Sequence, residues 1–118
     1  MGKRERKKNT SRVGAVAELG CALDAVTKGF FVFRNVSPEG PVDLLFLKNN
    51  TVLRVQVKKG ERVKEGIKAL ANSDALGLVD SFNRVRYYTL ESWVCKHLYP
   101  CQMLRRTKKL KSKRRTTR

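Results

Sequence analysis

Between Pro41 and Lys59, apolar and polar side chains alternate with the two-residue period of a β-strand, and the alternation breaks once, at Lys48-Asn49-Asn50-Thr51. One run reads Val42, Leu44, Phe46 against Asp43, Leu45, Leu47; the other reads Leu53, Val55, Val57 against Val52, Arg54, Gln56, Lys58. Two such runs about an Asn-Asn pair predict a hairpin, because asparagine accepts the left-handed backbone of a tight turn. With Asn49 and Asn50 as the central turn residues, Leu47 faces Val52, Leu45 faces Arg54 and Asp43 faces Gln56. Opposed residues share a face, with Cβ atoms about 4.5–5.5 Å apart. Lys58, two residues beyond Gln56, belongs to the same face. A slip of one residue would turn every side chain over and scatter the group.

Thr10 or Ser11 can cap a helix running to about Lys28, with Gly29 as its stop. Val13, Val16, Ala17, Leu23 and Val26 form its main apolar stripe. Glu18 sits among small residues, Ala15, Cys21, Ala22 and Ala25, which would let the acid approach a neighbouring sheet. Phe30 to Arg34 predicts a short aromatic strand, and Ser37-Pro38-Glu39-Gly40-Pro41 a turn. The helical spacing of Val63, Ile67, Leu70 and Ala71 predicts a helix over 61–72. Strands are expected at 75–79 and 85–90, and a short helix at 92–99 stopped by Pro100. The order αβββαββα describes an α/β fold, a mixed sheet flanked by helices.

A chain of 118 residues makes one domain with a modest core. Its formal charge of +17 is unevenly spread. Residues 1–12 hold six Lys/Arg and one acid, residues 96–118 hold ten and none, and the stretch between holds eleven against nine. Residues 1–11 are therefore expected as a basic disordered tail, 12–99 as the folded domain and 100–118 as a second basic tail. Such tails bind polyanions by counterion release, though they also serve for solubility or localisation. The candidate nucleic-acid contacts are Lys3, Arg4, Arg6, Lys7, Lys8, Arg12, Arg105, Arg106, Lys108, Lys109, Lys111, Lys113, Arg114 and Arg115, with Arg54 and Lys59 from the hairpin.

No run reaches the ~18 apolar residues of a membrane span, so no membrane partner is expected. The N-terminus is charged where a secretory signal would be apolar. Three cysteines, Cys21, Cys95 and Cys101, make no closed disulfide set, which points to a reducing intracellular compartment: cytoplasm or nucleoid, or the nucleus of a eukaryote. Cys95, His97 and Cys101 lack zinc-finger spacing and a fourth ligand, so thiols on a C-terminal helix are the expectation there.

Four segments occur in a telling order: Gly14-Ala15-Val16-Ala17-Glu18, Gly29-Phe30-Phe31-Val32-Phe33-Arg34, Pro41-Val42-Asp43 and Gln56-Val57-Lys58. Together they resemble the PD-(D/E)XK nuclease superfamily, which includes restriction enzymes and archaeal Holliday junction resolvases. Gln56, where most members carry an acid, is similar to a QxK subgroup that includes group I intron homing endonucleases of cyanobacterial type. Leu76–Asp80 and Val85–Leu90 are similar to the last strands of those chains, and the resemblance covers roughly residues 12–90. It implies a restriction-endonuclease-like fold and a DNA endonuclease dependent on Mg²⁺ or Mn²⁺, with branched DNA such as a Holliday junction, or a homing site, as candidate substrate.

On that likeness Asp43, Gln56, Lys58 and Glu18 form the catalytic set. Asp43 would supply the main metal carboxylate, with the Gln56 side-chain oxygen and the Val57 carbonyl as further oxygen ligands. Glu18 would complete or orient the shell, and Lys58 would hold the attacking water or stabilise charge developing on phosphorus. Losing the acid at position 56 should weaken metal affinity. Symmetric cutting of both strands favours a homodimer. The competing reading is a non-catalytic basic DNA- or RNA-binding protein on the same scaffold, with Phe82, Tyr87 or Tyr88 stacking on bases.

Overall fold

The structure is a computed structural model that describes residues 2–36 and 42–105, with the backbone alone for residues 2–11 and Glu65. Helix α1 spans Gly2–Thr27. It starts well before Thr10 or Ser11 and takes in the backbone of the segment expected as a disordered tail. Lys, Arg and Glu are good helix formers, and no Gly or Pro interrupts Lys3 to Val13. The helix ends at the predicted stop. Gly29 has φ 91°, its N–H donates to the Val26 carbonyl at 3.0 Å, and the Phe30 N–H donates to the Ala25 carbonyl at 3.0 Å. This pair of bonds satisfies carbonyls that the last turn leaves open.

Six strands follow, β1 Phe31–Arg34, β2 Leu44–Lys48, β3 Thr51–Lys59, β4 Ala75–Val79, β5 Val85–Thr89 and β6 Cys101–Met103. They form one sheet in sequence order. The first three make an antiparallel meander, β3 and β4 run parallel, β4 and β5 antiparallel, and β5 and β6 parallel. The β2–β3 hairpin turns at Asn49 and Asn50, with φ 49° and 66°. Both central residues being left-handed is what a two-residue hairpin loop of type I′ requires. The register pairs Leu47 with Val52 and Leu45 with Arg54, as that turn predicts.

Two crossovers differ from the sequence reading. Between β3 and β4 the expected helix is a pair of 3₁₀ turns, Val63–Glu65 and Ile67–Ala71. Gly66 divides them, its N–H donating to the Val63 carbonyl at 3.0 Å, and segments this short gain little from α-helical propagation. Between β5 and β6 the expected helix reduces to a 3₁₀ turn, Val94–Lys96. Past it the chain re-enters the sheet: the Tyr87 N–H donates to the Pro100 carbonyl at 3.0 Å, and β6 forms within the stretch expected as a basic tail.

The sheet is covered unequally. On one face Ala17, Cys21 and Ala25 of α1, with Val94 and Leu98, pack on Leu44, Phe46, Leu53, Val55, Val57 and Tyr87. The stripe expected to dominate is mostly outside this contact; of its members only Ala17 is buried. The sheet supplies the bulk here, so the helix must supply small residues. At Gly77 of β4 an added Cβ would stand 2.8 Å from the Cys21 Sγ. Burial pushes the Cys21 thiol up to about 12. The Tyr87 hydroxyl, raised for the same reason, donates to Asp24 at 2.7 Å. On the opposite face Ala69, Leu70 and Ala71 cover Leu76, Leu78, Tyr88 and Leu90, while the outer faces of β1 and β2, with Phe31, Phe33 and Leu45, stay exposed.

Candidate functional site

The ladder between β2 and β3 ends at the pair Leu44–Val55, one residue short of Asp43. Asp43 continues the pairing by other means. Its N–H donates to the Val55 carbonyl at 3.1 Å, and its Oδ2 accepts the Val57 N–H at 2.8 Å. The side chain thus serves as the carbonyl that a longer β2 would have offered. Asp43 is bonded to both neighbours of Gln56, so the predicted approach of the two residues is present. The carboxylate, however, lies toward the strand's N–H groups rather than standing off the sheet face. Its Oδ1 makes no hydrogen bond to a described residue.

Gln56 and Lys58 share the face turned away from α1, opposite Leu76 and Leu78 in the parallel register. They open on a groove of about 520 Å³ that Lys64, Lys68 and Asn72 complete. Gly66 sets how near the crossover lies: a Cβ there would meet the Lys58 Cγ at 2.9 Å and the Leu76 Cδ1 at 3.1 Å. Only a residue without a side chain lets the turn rest on the Lys58 stem. Three ammonium groups and two carboxamides line one concavity, an arrangement suited to phosphate oxygens. Lys64, Lys68 and Asn72 are absent from the sequence-predicted set. The available signal was the four-residue spacing of the two lysines, which gives them one side of any helical crossover.

Asp43 borders a second, smaller groove of about 290 Å³ with Phe33, Asn35, Leu45 and Arg54. Arg54 is not a free arm there. Asp74 accepts its N–H at 2.8 Å, its Nε at 3.2 Å and its NH2 at 3.2 Å, and hydrogen bonding to that carboxylate raises the guanidinium still further above its ordinary value. Glu18 is placed apart from Gln56 and Lys58. Its Oε1 lies 3.5 Å from the Arg34 Nε, and Arg34, opposite the buried Leu44, belongs to the α1 side of the sheet. Lys59 also differs from Lys58, its Nζ donating to the Asp80 carbonyl at 2.8 Å.

Arg12 and Arg105 are exposed. Lys3, Arg4, Arg6, Lys7 and Lys8 fall on α1 where only the backbone is described, and Arg106, Lys108, Lys109, Lys111, Lys113, Arg114 and Arg115 lie outside the described residues. Of the three stacking candidates, Tyr87 and Tyr88 are buried and Phe82 is exposed. The Arg84 guanidinium stands 5.1 Å from the Phe82 ring centroid.

Among the described residues no group of three or more His, Cys, Asp or Glu could hold a metal ion. The oxygen donors near Gln56 fit a hard cation in kind: the Asp43 carboxylate, the Gln56 carboxamide and the Val57 carbonyl. They supply one negative charge, which suits a weakly held Mg²⁺ that keeps most of its own waters. Glu18 pairs with Arg34 on the α1 side of the sheet, the side from which the Asp43 charge also acts on Cys21.

Also among the described residues, no helix is long and apolar enough to cross a membrane. No family model matches the chain, and no curated protein matches it in sequence. The fold itself has a solved counterpart: it is an α/β fold with a mixed sheet of a kind found in an endonuclease. That neighbour is a bacterial homing endonuclease, I-Ssp6803I, similar with a TM-score of 0.56 and 14% identity over 69% of this chain and 69% of that chain.

Proposed function

We propose that the protein is a metal-dependent DNA endonuclease of the PD-(D/E)XK type, with glutamine in place of the second acid. One observation carries the reading: the Asp43–Val57 hydrogen bond of 2.8 Å, which holds a carboxylate beside Gln56 and Val57 while Gln56 and Lys58 open into a lysine-lined groove. The fold shared with a homing endonuclease supports it.

In this reading one DNA strand follows the groove, and Lys64 and Lys68 neutralise phosphates flanking the cut. Asp43, Gln56 and the Val57 carbonyl would hold Mg²⁺ or Mn²⁺. The bound ion would polarise the phosphate and lower the pKa of a coordinated water. Lys58 stabilises the negative charge that grows on the phosphoryl oxygens. Asp74 fixes Arg54 as a positive border to the track. The domain offers little surface for base readout, so branched DNA or a homing site engaged by a homodimer are the candidate substrates.

The single carboxylate bonded beside Gln56, with Glu18 paired to Arg34, favours a second reading: a basic nucleic-acid-binding protein that does not cut. Purified protein incubated with supercoiled plasmid and with a four-way DNA junction separates the two. Nicking that needs Mg²⁺ or Mn²⁺ and stops with EDTA supports the endonuclease. Tight binding with no cutting in either metal supports the second reading.

A further inference from the structure

Helix α1 is apolar on two sides. One side, Ala17, Cys21 and Ala25, is buried against the sheet. The other carries Val13, Val16, Leu19, Leu23 and Val26, each between 43% and 65% exposed. An apolar stripe left exposed beside the buried one marks a contact surface. Val16, Leu19, Leu23 and Val26 are spaced 3-4-3, the repeat of a helix-pairing seam. The positions flanking that seam are Ala15, Gly20, Ala22 and Thr27, all small and uncharged. The charged residues on this half of the helix are occupied elsewhere, Glu18 with Arg34 and Asp24 with Lys28. Beside the seam, Val16, Leu19 and Leu23 line a groove of about 680 Å³ whose far wall includes Asn83, Arg84 and Val85.

The choice of occupant follows from the sequence. A nucleic acid cannot satisfy an uncharged aliphatic stripe in a chain of charge +17. Residues 37–41 and 106–118 contain one large aliphatic residue, Leu110, among prolines, lysines and arginines, so neither segment could cover five side chains. The surface that does match is the stripe itself.

We propose that two copies of the protein pair through the outer side of α1, antiparallel, about a two-fold axis near Cys21. Val16 then meets the partner's Val26, and Leu19 the partner's Leu23. The small flanking residues allow close approach. Antiparallel pairing also separates the basic segments 3–8 by roughly 45 Å at a rise of ~1.5 Å per residue, where a parallel pair would set them side by side. The proposal names the surface and orientation of the homodimer in the functional reading, and rests on the stripe rather than on cleavage.

Sedimentation equilibrium on the full chain, free of nucleic acid, tests it. The expected mass is twice the 13.5 kDa of one chain. Leu19→Glu combined with Leu23→Glu should give a monomer with unchanged far-ultraviolet circular dichroism, since both side chains are exposed. A monomeric parent, or a double variant that remains dimeric, would overturn the proposal. Orientation is read by oxidative cross-linking and peptide mass mapping. A mixture of Val16→Cys and Val26→Cys proteins should link position 16 to position 26, while Val16→Cys alone should not link to itself. Self-linking at 16, or no 16–26 link, would overturn the antiparallel arrangement whether or not the protein cuts DNA.

Discussion

The carboxylate of Asp43 accepts the Val57 N–H at 2.8 Å, standing in for the main-chain carbonyl that β2 does not provide. That bond has a structural consequence separate from chemistry. Asp43→Ala should leave the Val57 N–H without a partner at the end of β3 and lower stability by about 1–3 kcal/mol. Asp43→Asn should lower it by less, because the asparagine oxygen can accept the same proton. Urea denaturation midpoints at constant m-value check this ordering.

Close approach of α1 to the sheet depends on Gly77, where a Cβ would fall 2.8 Å from the Cys21 Sγ. Gly77→Ala should destabilise the fold by about 1–3 kcal/mol through overpacking. Adding Cys21→Ala should recover part of that loss, since it removes the atom in the way. A double-mutant cycle by urea denaturation measures the coupling, and additive effects would contradict the contact.

What the sequence made legible, and what it hid, follows the range of the forces involved. The hairpin could be read because both its signals are local: alternation fixes the face, and the Asn49-Asn50 turn fixes the register. The same local logic placed Asp43 beside Gln56. It does not reach Glu18, because which side of a sheet a helix covers depends on long-range packing. Small residues around Glu18 did mark the sheet-facing side of α1, but Cys21 and Ala25 use it to meet Val55 and Tyr87 while Glu18 turns to Arg34 at the edge. The larger stripe on α1 looked like core by hydrophobicity alone, yet β-sheet bulk selects the smaller side chains. Lys64 and Lys68 were overlooked because a crossover's contribution to a groove is visible only once Gly66 brings it onto Lys58.

Asp80 organises the β4–β5 turn: its Oδ1 accepts the N–H groups of Phe82 and Arg84, each at 2.9 Å, and its Oδ2 the Arg84 Nε at 2.9 Å. These bonds, the Arg84 N–H foremost, hold its carboxyl below the ordinary 3.8. With the folded value depressed, the turn's stabilisation is complete above 3.8 and is lost as pH falls through the lower folded value. The amide resonances of Phe82 and Arg84 should therefore titrate with a midpoint below 3.8. A midpoint at or above that value would contradict the bonding.

The groove beside Lys58 should bind DNA phosphates. Lys64→Gln and Lys68→Gln should each weaken binding and reduce the slope of log affinity against log salt by about 1. Fluorescence anisotropy across a salt series reads both. An unchanged slope in the double variant would place the DNA elsewhere on the molecule.

The most direct test of the central claim compares cutting and binding in Asp43→Asn, a change that keeps the acceptor for Val57 and removes the charge. Cleavage of supercoiled DNA in Mg²⁺ should fall by at least about 100-fold, the loss typical of a removed transition-state contact, while DNA affinity measured in EDTA stays within about twofold. Cleavage at the parent rate would contradict the assignment of Asp43 as the carboxylate of a metal-dependent endonuclease.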